Sequence, residues 1–218
     1  MTTAVEACRV AAGRFIVLEG IDGSGTTTQG HALVAALERA GVAARFTHEP
    51  SAGPLGRLLR QFLKGDEQDP SPNWDGLALL FAADRLDHLS REVLPALAAG
   101  IAVVCDRYDL SSVAYQSATA PAGESVAPWI RAINQRARRP DLTIVLNVDA
   151  AVAERRRLQR GEPAELFEHR ELQRRLAELY ASAEQLVPGD RIIHLNADAE
   201  VSDVTDSVLQ AVAQGVGR

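Results

Sequence analysis

Cysteine, lysine and long apolar runs are all scarce in this chain. Its only cysteines, Cys8 and Cys105, are too few and too widely spaced for a disulfide framework or a cysteine-rich metal site, so a reducing, cytoplasmic setting is the expectation. No apolar stretch approaches the roughly 20 residues that cross a membrane. The residues before Gly13 also lack the basic-then-apolar pattern of a secretion signal, and no membrane partner is expected. Blocks of five or six like charges are missing, and the formal net charge is -6. That argues against a bulk nucleic-acid binder, because affinity for a phosphate backbone needs a dense cationic surface. Lys64 is the single lysine among 23 basic residues, a bias that by itself implies no function.

What is present is a globular composition: 218 residues, 46% hydrophobic and 24% charged, enough to bury a substantial core as one domain spanning 1–218. Short β-branched runs predict strands at 14–19, 42–47, 101–105, 142–148 and 191–195. Helical periodicity fills the intervals at 26–40, 54–63, 74–99, 126–138, 150–160, 168–186 and 200–213, with Gly41 and Gly100 as helix stops. Buried-type strands alternating with helices predict an α/β fold: a five-stranded parallel sheet flanked by helices. Ligands of such sheets bind beyond the carboxyl ends of the strands, so the residues after each strand carry the information.

After the first strand comes Gly20-Ile21-Asp22-Gly23-Ser24-Gly25-Thr26-Thr27-Thr28, opening a helix. Gly20 and Gly25 have the spacing of a phosphate-binding loop, whose backbone N–H groups converge on an anion at a helix N-terminus. Thr27 stands where a hydroxyl reaches Mg²⁺, while Thr26 occupies the position where that motif requires lysine. After the second strand, Thr47-His48-Glu49-Pro50 leads to Arg57 and Arg60; these are a turn with two solvated arginines, or, at Arg60, a planar fork for a second phosphate. Phe81 and Arg85 share a helix face, which suits a nucleobase, although core packing beside a surface arginine explains the pair as well. Asp106-Arg107-Tyr108 ends the third predicted strand, with Ser112, Tyr115 and Gln116 following. In Arg155-Arg156-Arg157, a solvated face is expected for Arg155 and Arg157, whereas Arg156 and Arg160 align and lead into a Gly/Pro segment suited to an arginine-bearing flap.

These segments together resemble the thymidylate kinase family. The similar stretches are FIVLEGIDGSGTTTQ (15–29), THEPSAGPLGRLLRQFL (47–63), LLFAADRLDH (79–88), DRYDLSSVAYQ (106–116) and RRLQRG with ELFE (156–168), in family order. The resemblance implies a P-loop NTPase fold with a short lid at about 157–168. It also implies ATP-dependent phosphorylation of dTMP to dTDP with Mg²⁺ held through Thr27, and a homodimer. By the same resemblance, Gly20 to Thr28 hold the ATP phosphates and Arg156 stacks on adenine. Asp22, Glu49, Arg60, Phe81, Arg85, Arg107, Ser112, Tyr115 and Gln116 would serve dTMP, with Arg107, Arg160 and Asp22 as catalytic groups. Two departures stand out: Thr26 for the loop lysine, and Ser51-Ala52 for a glycine pair. The first keeps two other readings open, a catalytically impaired nucleotide-binding protein and a kinase for another deoxypyrimidine monophosphate.

Overall fold

The computed structural model describes residues 11–64, 73–120, 125–160 and 170–216, with Arg160 described by its backbone alone. Five strands form one parallel sheet: β1 (Phe15–Glu19), β2 (Ala44–His48), β3 (Ala102–Asp106), β4 (Leu142–Asn147) and β5 (Ile192–Asn196). Their order is β2-β3-β1-β4-β5. Every residue of β1 and β3 is buried, which is why they read as unbroken apolar runs rather than as alternation. Successive side chains still point to opposite faces. Phe15 and Val17 join Leu89, Val93, Val103, Cys105 and Tyr108, while Ile16, Leu18 and Val104 enter a larger cluster with Leu33, Leu37, Leu142 and Val212.

The helices are α1 (Thr26–Arg39), α2 (Pro54–Lys64), α3 (Trp74–His88), α4 (Leu94–Ala98), α5 (Asp109–Thr119), α6 (Ala127–Asn134), α7 (Ala150–Arg160), α8 (Arg170–Ala181), α9 (Ala183–Leu186) and α10 (Val201–Val216). The chain leaves β1 outward to β2, returns through β3 beside β1, then crosses to β4 on the other flank. The switch in direction therefore lies at the carboxyl end of β1, where the glycine-rich turn begins. This is the P-loop architecture that the resemblance implies.

Differences from the predicted elements have local causes. The second strand starts at Ala44 rather than Val42 because Val42 N–H closes the end of α1 on Leu37 O, and Gly41 N–H bonds Glu38 O with φ +81. That is a Schellman closure, and it takes Val42 out of the sheet. The predicted single helix over 74–99 is interrupted by a π-helical stretch, Leu89–Val93. Pro95 has no N–H to give to the preceding turn, and the wider turn accommodates the loss. The predicted helix over 126–138 ends at Asn134, where tight turns take over, Gln135 N–H bonding Ala132 O and Ala137 N–H bonding Asn134 O. The helix predicted over 168–186 is two, α8 and α9, divided at Ser182. Residues 161–168 of the expected lid lie outside the described residues, and 157–160 form the last turn of α7.

Leu33 is fully buried and anchors α1, and with it the glycine-rich turn, to the sheet. Leu33→Ala is expected to lower the unfolding free energy by about 2–5 kcal/mol, read by urea denaturation; a loss under about 1 kcal/mol would mean that α1 is not held this way.

Candidate active site

The turn after β1 is shaped by the helix that follows the neighbouring strand β4. Gly23 has φ +91, and a Cβ there would lie 2.5 Å from the carbonyl oxygen of Ala153 in α7. No L side chain fits that contact or that backbone without strain. The first N–H groups of α1 have no partners within the helix and open toward the turn, leaving an anion site.

Beside it, Arg107 follows β3 with φ +66, a left-handed conformation rare for a residue other than glycine. The strain is held by contacts on every side. Its Nη2 donates to Asp22 Oδ1 (2.6 Å) and its Nη1 to Gly20 O (2.7 Å), and the guanidinium lies 5.5 Å from the centre of the Tyr115 ring. Asp22 Oδ2 accepts from the Tyr115 hydroxyl (3.0 Å) and from Gln173 Nε2 (2.9 Å), while Asp22 N–H donates to Gln173 Oε1 (3.2 Å). Burial pushes the Tyr115 phenol well above its ordinary pKa, so it stays a donor.

Glu19, the last residue of β1, lies fully buried behind Arg107. It accepts from Tyr108 N–H, Ser111 N–H, the Ser111 hydroxyl (2.6 Å) and the Tyr180 hydroxyl (3.1 Å). Burial raises its pKa to about 6, against the lowering effect of the Ser111 hydroxyl and of the Arg107 charge.

A cavity of about 160 Å³ opens on the β2 side of this pair. Asp22, Glu49, Phe81, Arg85, Arg107, Ser112, Tyr115 and Gln116 all line it, so residues predicted from four separate segments converge there. Arg85 is only 1% exposed. It donates to Glu49 Oε2 (2.9 Å), Asn134 Oδ1 and Ser112 Oγ (3.1 Å), and its guanidinium sits 5.1 Å from the centre of the Tyr108 ring. Gln116 Oε1 is buried without a partner. Arg60 is not among the lining residues; its guanidinium donates to Pro50 O (2.6 Å) and Ser51 O (2.7 Å), at the cavity rim. Ser51, one of the two departures, is anchored by two hydrogen bonds to Asp84, N–H to Oδ2 (2.7 Å) and hydroxyl to Oδ1 (2.6 Å).

On the other side of the turn, Gly23, Ser24, Gly25, Thr28 and Gln29 form a second cleft with Arg156, Gln159, Ala197 and Val201, about 280 Å³ in volume. Arg156 is held there by the carbonyls of Ala197 (2.8 Å) and Asp198 (3.3 Å). Thr27 donates its hydroxyl to Asp106 Oδ2, and Asp106 Oδ1 is buried without a partner. One hydroxyl and one carboxylate fit a hard divalent ion that keeps most of its shell in water and ligand oxygens, as Mg²⁺ does. Among the described residues no cluster of three metal-binding side chains exists that would suit a fully protein-caged ion.

The expectation that Arg155 and Arg157 are both solvated is half right. Arg155 is exposed, but Arg157 is buried at 8% exposure. Glu19, Gln173, Asn134, Ser111 and the bond between Thr27 and Asp106 were not anticipated. A charged residue closing an apolar strand was a usable signal for Glu19, as it was for Asp106; the others sit on helices with no sequence mark.

Because the folded pKa of Glu19 lies above the ordinary 4.5, the group's contribution to stability is fully present below that value and lost as pH rises through about 6. The size is about 2 kcal/mol. Urea-unfolding free energies taken from pH 4.5 to about 7.5 should show the parent losing that much relative to Glu19→Gln. Parallel profiles would contradict this placement of the carboxyl.

Comparison with known proteins agrees with this geometry. A family model described as thymidylate kinase matches residues 18–208. The chain is 41% identical over 202 residues to a probable thymidylate kinase of Pyrococcus abyssi, covering 92% of this chain and 96% of that protein. A probable thymidylate kinase of Pyrobaculum calidifontis is 46% identical over 167 residues (76% and 80%), and a thymidylate kinase of Alkalilimnicola ehrlichii is 35% identical over 208 residues (94% and 95%). With the turn, the strand-end arginine and the paired clefts in the order that the family model spans, the chain belongs to the thymidylate kinase family.

Proposed function

We infer that this protein is a nucleoside monophosphate kinase that transfers the γ-phosphoryl group of ATP to the phosphate of dTMP, yielding ADP and dTDP for dTTP synthesis. The observation that carries the reading is the Asp22–Arg107 pair, which joins an apolar, arginine-backed cavity to a glycine-rich turn. In this reading thymine stacks on Phe81, with Arg85, Ser112 and Gln116 at its edge. The sugar lies against Tyr115 and Asp22, with Glu49 fixing Arg85. Arg107 and Arg60 take the dTMP phosphate. Adenine lies against Arg156 in the second cleft, and Gly20, Ile21, Asp22, Gly23, Ser24, Gly25, Thr26, Thr27 and Thr28 surround the ATP phosphates.

The acceptor is an ionised phosphate oxygen, so no general base is required. Alignment and neutralisation of charge carry the rate. Thr27 and Asp106 are the residues that would hold Mg²⁺, which when bound offsets phosphate charge. Arg107 does the same on the acceptor side. Arg160, at the end of α7, leads into the expected lid at about 157–168 and is proposed as a catalytic arginine that replaces part of the loop lysine's charge. Leu79 and Leu86 on α3 and Leu94 on α4 are exposed, which supports a homodimer through that helical face. No helix among the described residues is long and apolar enough to cross a membrane, and we place the enzyme in the cytoplasm without nucleic-acid partners.

Thr26 favours one second reading, a nucleotide-binding protein with impaired transfer; a kinase acting on another deoxypyrimidine monophosphate is the other alternative. A coupled ADP-release assay with ATP, Mg²⁺ and a panel of monophosphates separates the three. Turnover dependent on dTMP is expected, while tight dTMP binding without turnover, or preference for another monophosphate, would replace the assignment. Arg160→Ala should lower kcat by about a thousandfold or more, the scale of an arginine finger; a change within about threefold would remove Arg160 from the mechanism.

A further inference from the structure

The turn lacks its lysine, and the structure contains an arginine with no visible purpose. Arg157 is buried at 8% exposure, and its Nη1 has no hydrogen-bond partner. Among the described residues no carboxylate pairs with it. A buried guanidinium left uncompensated is expensive, and such a group in a folded protein calls for a ligand, an ion or strain as its explanation.

The faces of α7 show where this charge sits. Ala153 meets the glycine-rich turn, its carbonyl lying 2.5 Å from where a Gly23 Cβ would be. Arg156 and Gln159 face the second cleft, with Arg156 bonded to the Ala197 carbonyl. Glu154 faces α8, paired with Arg170 at 2.7 Å. With 3.6 residues per turn, Arg157 falls about 40° round the helix from Ala153, toward the Glu154 side, and about 6 Å further along the axis. It therefore lies between the turn and the first turns of α8. That part of α8 carries Gln173, which clamps Asp22. Arg157 lines neither cleft, but its side chain leaves α7 next to the face that packs on Gly23, so the buried Nη1 lies one side-chain rearrangement from the junction where the phosphates of two nucleotides would meet.

We propose that Arg157 is a catalytic residue that supplies the phosphates with the positive charge missing at Thr26. The proposal rests on the kinase reading above. In the transfer, the bond from the γ-phosphorus to the β,γ-bridging oxygen breaks, its electron pair leaving with ADP, and a bond forms from the γ-phosphorus to a dTMP phosphate oxygen. Arg157 donates N–H groups to the non-bridging oxygens and is itself unchanged. A planar fork can span two such oxygens where the lysine would have offered a point charge.

The test is a double-mutant cycle on the full-length protein with ATP, Mg²⁺ and dTMP. Removing one charge-stabilising donor costs about a hundredfold in kcat or more, and R157Q is expected to do so with the KM for dTMP within about threefold of the parent. T26K should recover at least about tenfold of that loss in the T26K/R157Q background, and more than it adds to the parent. The Tm of R157Q should equal or exceed the parental value, because an unpaired buried charge has been removed. A kcat for R157Q within about threefold of the parent would overturn the proposal. So would a loss that T26K leaves untouched, or a fall in Tm that accompanies equal losses in both backgrounds. If Gln is not tolerated at all, R157K gives the same cycle: a smaller loss that T26K restores supports the role, and parental kcat refutes it.

Failure of the kinase reading would show separately, as absence of dTMP-dependent turnover in the parent. Calorimetry with Mg²⁺ and a non-hydrolysable ATP analogue then decides the point. At least about tenfold weaker binding by R157Q sustains an anion contact, and equal affinity rejects it.

Discussion

The ion pair between Asp22 and Arg107 is the constraint on which the rest of the site depends. It ties the turn after β1 to the end of β3 at 2.6 Å, and its other contacts reach α5 through Tyr115 and α8 through Gln173. Taking two charges largely out of water is costly, and the cost is offset here by further bonds, Arg107 Nη1 donating to Gly20 O and Asp22 Oδ2 accepting from Tyr115 and Gln173. The left-handed backbone of Arg107 belongs to the same arrangement, since a relaxed φ would swing the guanidinium away from Gly20 O. Glu19 completes the arrangement from behind, so a fully buried carboxyl sets the field in which the arginine sits.

Much of the fold was legible because β1 and β3 are covered on both faces, and a two-sided strand can only be written as a continuous apolar run. Segments after strands were legible as site material because a parallel sheet gathers them at one edge. What could not be read was the identity of partners distant in the chain. Gln173 meets Asp22 across 151 residues, and Tyr180 meets Glu19 across 161. Nothing local marks either residue. Arg155, Arg156 and Arg157 show the limit most sharply: three identical side chains face solvent, cleft and interior, and only the docking of α7 on Gly23 decides which is which.

The substitution at Ser51 is structural rather than functional. A glycine pair would keep the N–H bond to Asp84 but lose the second one, whereas Ser51 pins the rim loop to α3 through both its N–H and its hydroxyl. That rim also receives the Arg60 guanidinium through the carbonyls of Pro50 and Ser51. Departures from a family pattern thus fall into two kinds here. The one at Ser51 adds a hydrogen-bonded brace, and the one at Thr26 removes a charge that must come from elsewhere.

The buried setting of Arg85 has a consequence for selectivity. Glu49, Asn134 and Ser112 orient its guanidinium before any ligand arrives, and the Tyr108 ring backs it. A flexible wall would adapt to larger bases at the cost of ordering itself on each encounter. This wall is already ordered, so its shape is a product of folding, and a base too wide for the space meets a surface that cannot retreat without breaking a buried ion pair.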